Sequence, residues 1–299
     1  MLIQSISQFQ IFLIFFPKYN QNYYIYEKTI SNIMFKSMSG LEQILYFKLG
    51  EQEKRVFTLK DIKKILNISI EHTRNIASDM VKKNAAERVK PGLFIRIPES
   101  VILDKKKYTE DTVLIAAKAS AKSFLSHYTA LTIHGLAERY TTQIYVTTTK
   151  HQRDIKYHEN TIKYIQINSE KFFGYETIKY SNTKIQVSDL ERTIIDVIEK
   201  PKYAGGYTEV INCLKNIDDI KYEKLTFYLK KIKNKTTIRK TGYLLEKLNN
   251  LNPSNKTLKE IKQLSGSQDL YFDTDKKGKY DKEWNIIVPK NILETLNAY

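Results

Sequence analysis

Apolar residues recur every three or four positions from Leu59 to Val81, and two short β-prone runs follow them as far as Ile97. Thr58 with Asp61 forms a capping-box pattern, opening a helix whose apolar side carries Leu59, Ile62, Ile65 and Leu66. Asn67 and Ile68 make a turn. Ser69 then caps a second helix, expected to bury Ile70, Thr73, Ile76, Ala77, Met80 and Val81. Its opposite face shows Glu71, His72, Arg74, Asn75, Ser78 and Lys82, and Asn84 ends it. Lys90-Pro91-Gly92 marks the turn of a hairpin. Upstream, Leu41 to Leu49 predicts another helix with Leu41, Ile44, Leu45 and Phe47 on its packing side. Helix, turn, helix, hairpin is the order of a winged helix-turn-helix, in which the second helix enters a DNA major groove. A generic helical hairpin is the alternative.

Downstream the pattern changes twice. Residues 99–110 (ESVILDKKKYTE) read as a charged connector, and helices are predicted over 111–121 and 126–135, the second capped by Ser126 and stopped by Gly135. The runs 143–149, 161–167, 176–180 and 183–187 are rich in β-branched and aromatic residues and predict one largely antiparallel sheet. Ser188 with Glu191 gives a second capping box, starting a helix through Ile198. From Thr208 to Asn250 the pattern is helical again. A third box, Thr257 to Glu260, follows, then a strand-like run at 283–288 and a last short helix. The chain is expected to be α+β in three parts. These are an N-terminal extension (1–37), a winged helix-turn-helix domain (38–100), and a mixed α+β domain with a helical C-terminal part (101–299).

Charge narrows the class of partner without locating it. The net charge of +16 and pI near 9.5 favour a polyanion, usually nucleic acid. Residues 39–100 carry 12 Lys/Arg against 8 Asp/Glu and residues 101–299 carry 34 against 24, so the excess is spread along the chain. The single cysteine, Cys213, excludes an internal disulfide and falls on the apolar side of a helix. The five histidines show no metal-ligand spacing. A reducing, cytoplasmic setting is expected, with no metal or cofactor. Phe9 to Phe16 is apolar but far shorter than the ~20 residues that span a bilayer, so residues 1–37 read as an extension, with a membrane-surface anchor as the alternative.

The exposed face of the second helix carries the candidate chemistry. Arg suits guanine and Asn suits adenine in the major groove, so Arg74 and Asn75, with His72, are expected at base edges. Ser69, Lys82, Arg88, Lys90 and Arg96 are expected to meet phosphates. Lys230, Lys231, Lys233, Lys235, Arg239 and Lys240 form a basic run, either a solvated helix face or a second electrostatic surface. Glu191, Arg192 and Asp196 invite a metal-nuclease reading. Glu191 is however placed to cap its own helix, and Arg192 and Asp196 are spaced to pair on its surface. Ser126-His127 lacks the glycines of a nucleophile elbow, and Gly205-Gly206 reads as a turn between helices.

Four segments resemble the AbiEi antitoxins of abortive-infection toxin–antitoxin systems: LSHYTALTIHGL (125–136), VSDLERTIIDVIEKPKYAGGYTEV (187–210), TGYLLEKL (241–248) and EWNIIVP (283–289). The winged unit ending in PGLFIRIP resembles the family's N-terminal module, and the likeness runs from about residue 40 to the end. The resemblance implies a non-enzymatic, two-part protein. Its winged domain would repress its own promoter at inverted repeats in double-stranded DNA, and its second domain would counter a nucleotidyltransferase toxin, directly or indirectly. Residues 1–37 have no counterpart there. A nucleic-acid-processing enzyme targeted by a winged domain and a pure protein-interaction module are the competing readings.

Overall fold

A computed structural model describes residues 36–104, 107–137 and 139–298, without the side chains of residues 103 and 104. The expected extension therefore lies, except for Lys36 and Ser37, outside the described residues. The architecture is mixed α+β, in two compact units divided between Asp111 and Thr112.

The first unit runs α1 (Gly40–Glu51), β1 (Val56–Thr58), α2 (Leu59–Leu66), α3 (Ile70–Lys82), β2 (Ala86–Lys90), β3 (Leu93–Arg96) and α4 (Glu99–Asp104). Thr58 and Asp61 form the expected reciprocal cap. Asn67 closes α2 in the left-handed conformation that asparagine tolerates, and Ser69 accepts the His72 backbone N–H to start α3. The three strands pair antiparallel in the order β1-β3-β2, with a bulge between Arg88 and Lys90. Leu45, Tyr46, Leu49, Phe57, Ile62, Ile76, Met80 and Phe94 form the core. Two expectations fail at the helix faces. Ile44 and Phe47 are about half exposed on α1, where Tyr46 and Leu49 are buried instead, and Ile70 is 44% exposed at the start of α3. The first half of the supposed connector is helical, as α4.

The second unit opens with α5 (Thr112–Lys118), β4 (Ser123–Leu125), α6 (His127–Ile133), β5 (Gln143–Thr148), β6 (Ile155–Tyr157), β7 (Asn160–Gln166), β8 (Tyr175–Tyr180) and β9 (Thr183–Ser188). Helices α7 (Leu190–Glu199), α8 (Tyr207–Lys215), α9 (Tyr222–Ile232), α10 (Lys235–Lys247) and α11 (Asn255–Ser265) follow. The chain ends in β10 (Leu270–Tyr271), β11 (Lys279–Asp281), β12 (Ile286–Val288) and α12 (Lys290–Asn297). Its main sheet has six strands in the order β6-β7-β5-β4-β9-β8. It is mixed rather than largely antiparallel, because β5 pairs parallel to β7 and β4 parallel to β9. β4 and β6 are three residues each, too short to register as alternation; β6 lies in sequence between β5 and β7, and β4 lies in the sheet between β5 and β9. The tight hairpin β8–β9 turns at Ser181 and Asn182, both with positive φ, as the right-handed strand twist requires.

Three caps differ from expectation. Asp189, not Ser188, caps α7 through its carboxylate, and Ser254, not Thr257, caps α11. Ser126 sits at the start of α6 without capping it; its buried hydroxyl bonds Thr147 Oγ1 (2.7 Å) and His127 Nδ1 (3.0 Å). Gly205 and Gly206 both take positive φ in the turn before α8, a conformation that glycine adopts without penalty. Cys213 is buried in the core of this unit.

Candidate nucleic-acid interface

Helix α3 divides cleanly into two faces. Thr73, Ile76, Ala77 and Met80 are buried, while Ser69, Glu71, His72, Arg74, Asn75 and Lys82 are exposed. The spacing enforces this split, because the buried positions recur at intervals of three and four. Two contacts fix the helix. The Thr73 hydroxyl donates to the Ser69 carbonyl (2.8 Å), and Lys83 just past its end pairs with the buried carboxylate of Glu42 on α1 (2.7 Å). Glu42 also accepts the Ser39 backbone N–H, so one carboxylate caps α1 and tethers α3.

The predicted site residues fall into three groups. No hydrogen bond or ion pair engages the His72, Arg74 or Asn75 side chains among the described residues, and all three lie on the outer face within the first two turns of α3. Arg88, Lys82 and Ser69 are also exposed, but each has a local attachment. The Arg88 guanidinium lies 5.6 Å from the Phe94 ring centre, Lys82 pairs with Asp79 (3.1 Å), and the Ser69 hydroxyl is occupied as the cap. Lys90 is half-buried beside the hairpin turn, and burial lowers its pKa.

Arg96 behaves differently. Its guanidinium stacks 4.1 Å from the Tyr46 ring centre and its Nε donates to the Tyr46 carbonyl (3.1 Å). Tyr46 in turn donates to the Ile97 carbonyl (2.8 Å), and burial pushes its phenol up to about 12. Arg96 thus fastens β3 to α1.

The basic run in the second unit does not form one surface. The Arg239 side chain is buried, and its guanidinium donates to the carbonyls of Ser265 (3.2 Å), Gly266 (2.6 Å), Asn285 (3.1 Å) and Gln268. Lys240 is half-buried, donates to the Tyr207 hydroxyl (2.8 Å), and is pulled down to about 8 by burial. Lys230 pairs with Glu260, and Lys231 lies 4.2 Å from the Phe173 ring centre. Lys233 and Lys235, exposed like Lys230 and Lys231, lie at the α9–α10 turn.

The three residues of the nuclease reading are consumed by the fold. Glu191 does not cap its own helix: it accepts from the Lys221 backbone N–H (3.0 Å) and Lys224 (2.9 Å) at the start of α9. Arg192 and Asp196 do pair (2.8 Å), but in the interior rather than on the surface, at 1% and 4% side-chain exposure. Arg192 also donates to the carbonyls of Lys171 and Phe173. Asp196 Oδ2 has no partner among the described residues, and burial outweighs Arg192 to raise its carboxyl to about 6. Asp189, which sequence reasoning passed over, binds Tyr228 (2.9 Å) and Lys224 (3.2 Å); an Asp one residue before the apolar period was the available cue. Among the described residues no set of three or more His, Cys, Asp or Glu side chains converges as a metal site, and no helix is long and apolar enough to cross a membrane.

The fold has a solved counterpart. It is similar to the crystal structure of the RV2827C protein from Mycobacterium tuberculosis, with a TM-score of 0.59 and 13% identity, over 87% of this chain and 95% of that one. At that identity the likeness shows architecture alone. No family model and no curated protein matches the sequence.

Proposed function

We propose that the first unit is a winged helix-turn-helix whose α3 reads double-stranded DNA, and that the protein is a sequence-specific autorepressor doubling as an antitoxin against a nucleotidyltransferase toxin. One observation carries the DNA reading: His72, Arg74 and Asn75 project from the outer face of a firmly anchored helix, uncommitted to any partner among the described residues. A guanidinium and an amide in that position match the hydrogen-bonding edges of guanine and adenine. The β2–β3 hairpin supplies Arg88 for the phosphate backbone. The antitoxin part rests on the resemblance of 125–136, 187–210, 241–248 and 283–289 to AbiEi proteins.

Binding of the full chain to DNA from its own promoter, against random duplex across a salt series, tests the reading. Arg74→Ala is expected to cost about 1–3 kcal/mol on promoter DNA and little on random DNA. Arg88→Ala is expected to weaken both equally and to reduce the salt slope by about one. Equal losses for Arg74→Ala on both duplexes remove it from base reading. Absence of any complex at low salt with folded protein overturns the DNA-binding reading.

A further inference from the structure

We propose that the second unit binds single-stranded nucleic acid across one exposed end of its six-stranded sheet, a site separate from α3 and independent of the DNA reading. Three lysines mark it. Lys179 on β8 stands directly opposite Lys184 on β9. Lys122 precedes β4, and its carbonyl accepts from the Thr148 hydroxyl (3.0 Å). Continuing the β4–β9 register from Leu125 and Val187 places Lys122 beside Lys184. Side chains alternate along a strand and paired residues share a face, so the three lysines form one row on one face of the sheet. Neighbouring strands lie about 4.8 Å apart, so the row spans about 10 Å. All three lysines are exposed, and no ion pair or hydrogen bond engages their ammonium groups among the described residues. Glu176, the carboxylate of β8, lies on the opposite face, in register with the buried Val187.

This placement works against the fold. Like charges directly opposite on adjacent strands are destabilising, and no carboxylate pairs with these. A polyanion laid along the row would relieve the repulsion. The rest of the face decides which polyanion. One step along the strands, Thr177 pairs with Gln186, both exposed, and their side chains make no hydrogen bond among the described residues. A further step brings Tyr175 onto the same face, 37% exposed. Its ring is held by Phe124 (5.1 Å between centres, 16° between planes) and by Phe172 (5.1 Å). A fixed aromatic ring, a hydroxyl with an amide, and a row of cations match an unpaired base, its polar edge and its phosphates. A duplex would leave Tyr175 idle, because paired bases keep their faces in the stack. A protein interface needs a broader apolar centre than one tyrosine supplies.

Fluorescence anisotropy of the full chain with a labelled oligouridylate tests this, with the deoxy analogue and a mixed-sequence duplex as comparisons. Saturable binding to one or both single strands is expected at low salt. Lys184→Thr is expected to weaken it about tenfold and to reduce the log–log salt slope by about 0.7. The same change should raise the urea midpoint, because it relieves the repulsion from Lys179. Lys122→Gln should give the same slope change with the midpoint unmoved, and serves if Lys184→Thr folds poorly. Tyr175→Leu should weaken binding about tenfold through lost stacking, and Arg74→Ala should leave it unchanged. No binding at low salt, affinity unchanged in the folded lysine variants, or a loss as large on the duplex as on the single strand would each overturn the proposal. So would full affinity in folded Tyr175→Leu protein, or a loss in Arg74→Ala as large as in Lys184→Thr.

Discussion

Gly242 is where a single methyl group should do the most damage. It lies inside α10, in the TGYLLEKL segment, and the Trp284 ring rests directly on its backbone. A Cβ at this position would fall far inside contact distance of Trp284 Cη2 and Cζ3, and 2.9 Å from Ile261 Cγ2. Ordinary carbon contacts sit at ~3.5–4.0 Å, so the ring would have to retreat by more than about 1 Å. It has little room. Trp284 is 2% exposed, its Nε1 donates to Glu246 (2.9 Å), and the Lys262 ammonium lies 4.9 Å from the ring. Overpacking costs about 1–3 kcal/mol, and loss of the indole hydrogen bond adds about 1. Alanine returns about 1 kcal/mol of helix propensity. The net expectation for Gly242→Ala is a destabilisation of about 2 kcal/mol. Trp284 is the one tryptophan of the chain, so its emission during urea unfolding reports the second unit alone. The same change in a Trp284→Leu background, followed by circular dichroism, should cost nothing or stabilise slightly. A raised urea midpoint for Gly242→Ala in the parent protein would refute the steric account.

Two further outcomes follow from the buried groups. Burial, with the Lys200 and Arg192 charges adding to it, lowers His127 to about 3, and burial raises Asp196 to about 6. On acidification below pH 6.5 the unfolded chain gains a proton that His127 refuses, which destabilises the fold. Between pH 6 and about 4 the folded Asp196 holds a proton the unfolded chain lacks, which stabilises it. The two nearly cancel, so Asp196→Asn should expose a loss of about 1.4 kcal/mol per pH unit from pH 6 to 4; urea midpoints with the parent's slope would refute this. Arg96→Ala should lower the stability of the first unit by about 1–2 kcal/mol through the lost Tyr46 stacking and carbonyl bond. Arg96→Lys should not restore it, since an ammonium cannot stack as a guanidinium does, and unchanged melting of either variant would return Arg96 to the phosphate contacts.

The parts legible in the sequence are those governed by neighbours three or four residues away. The Thr58–Asp61 box and the Ser69 cap are of this kind and form as read, and Thr73, Ile76, Ala77 and Met80 are buried on α3 as expected, although Ile70 is not. Helix α1 was misread because Leu41, Ile44, Leu45, Tyr46, Phe47 and Leu49 surround the helix almost completely, leaving no single apolar stripe to orient it. Sheet order was hidden for another reason: a three-residue strand carries too little alternation to announce itself, and β4 and β6 decide which longer strands become parallel. The basic run failed where distant backbone intervened. Nothing near Arg239 foretells the carbonyls of Ser265, Gly266, Gln268 and Asn285, which close on it from 26 to 46 residues away.

Net charge is therefore a poor guide to where this protein would meet a polyanion, and the first unit shows why. Its cations serve two different purposes. Lys54 pairs with Asp61 (2.8 Å), Lys83 with Glu42 (2.7 Å), and Arg96 with the Tyr46 ring, and each of these joins one element of the unit to another. Arg74 carries the same formal charge as Arg96 but makes none of these connections among the described residues. Both count equally toward the net charge of +16, yet Arg74→Ala should leave stability almost untouched and Arg96→Ala should not. Lys83 ties the end of α3 to α1 and Arg96 ties β3 to α1, so that a helix bearing uncommitted polar groups is anchored before any partner arrives. Rigidity of that kind lowers the entropic cost of binding, which is where a reading helix gains over a flexible basic segment of equal charge.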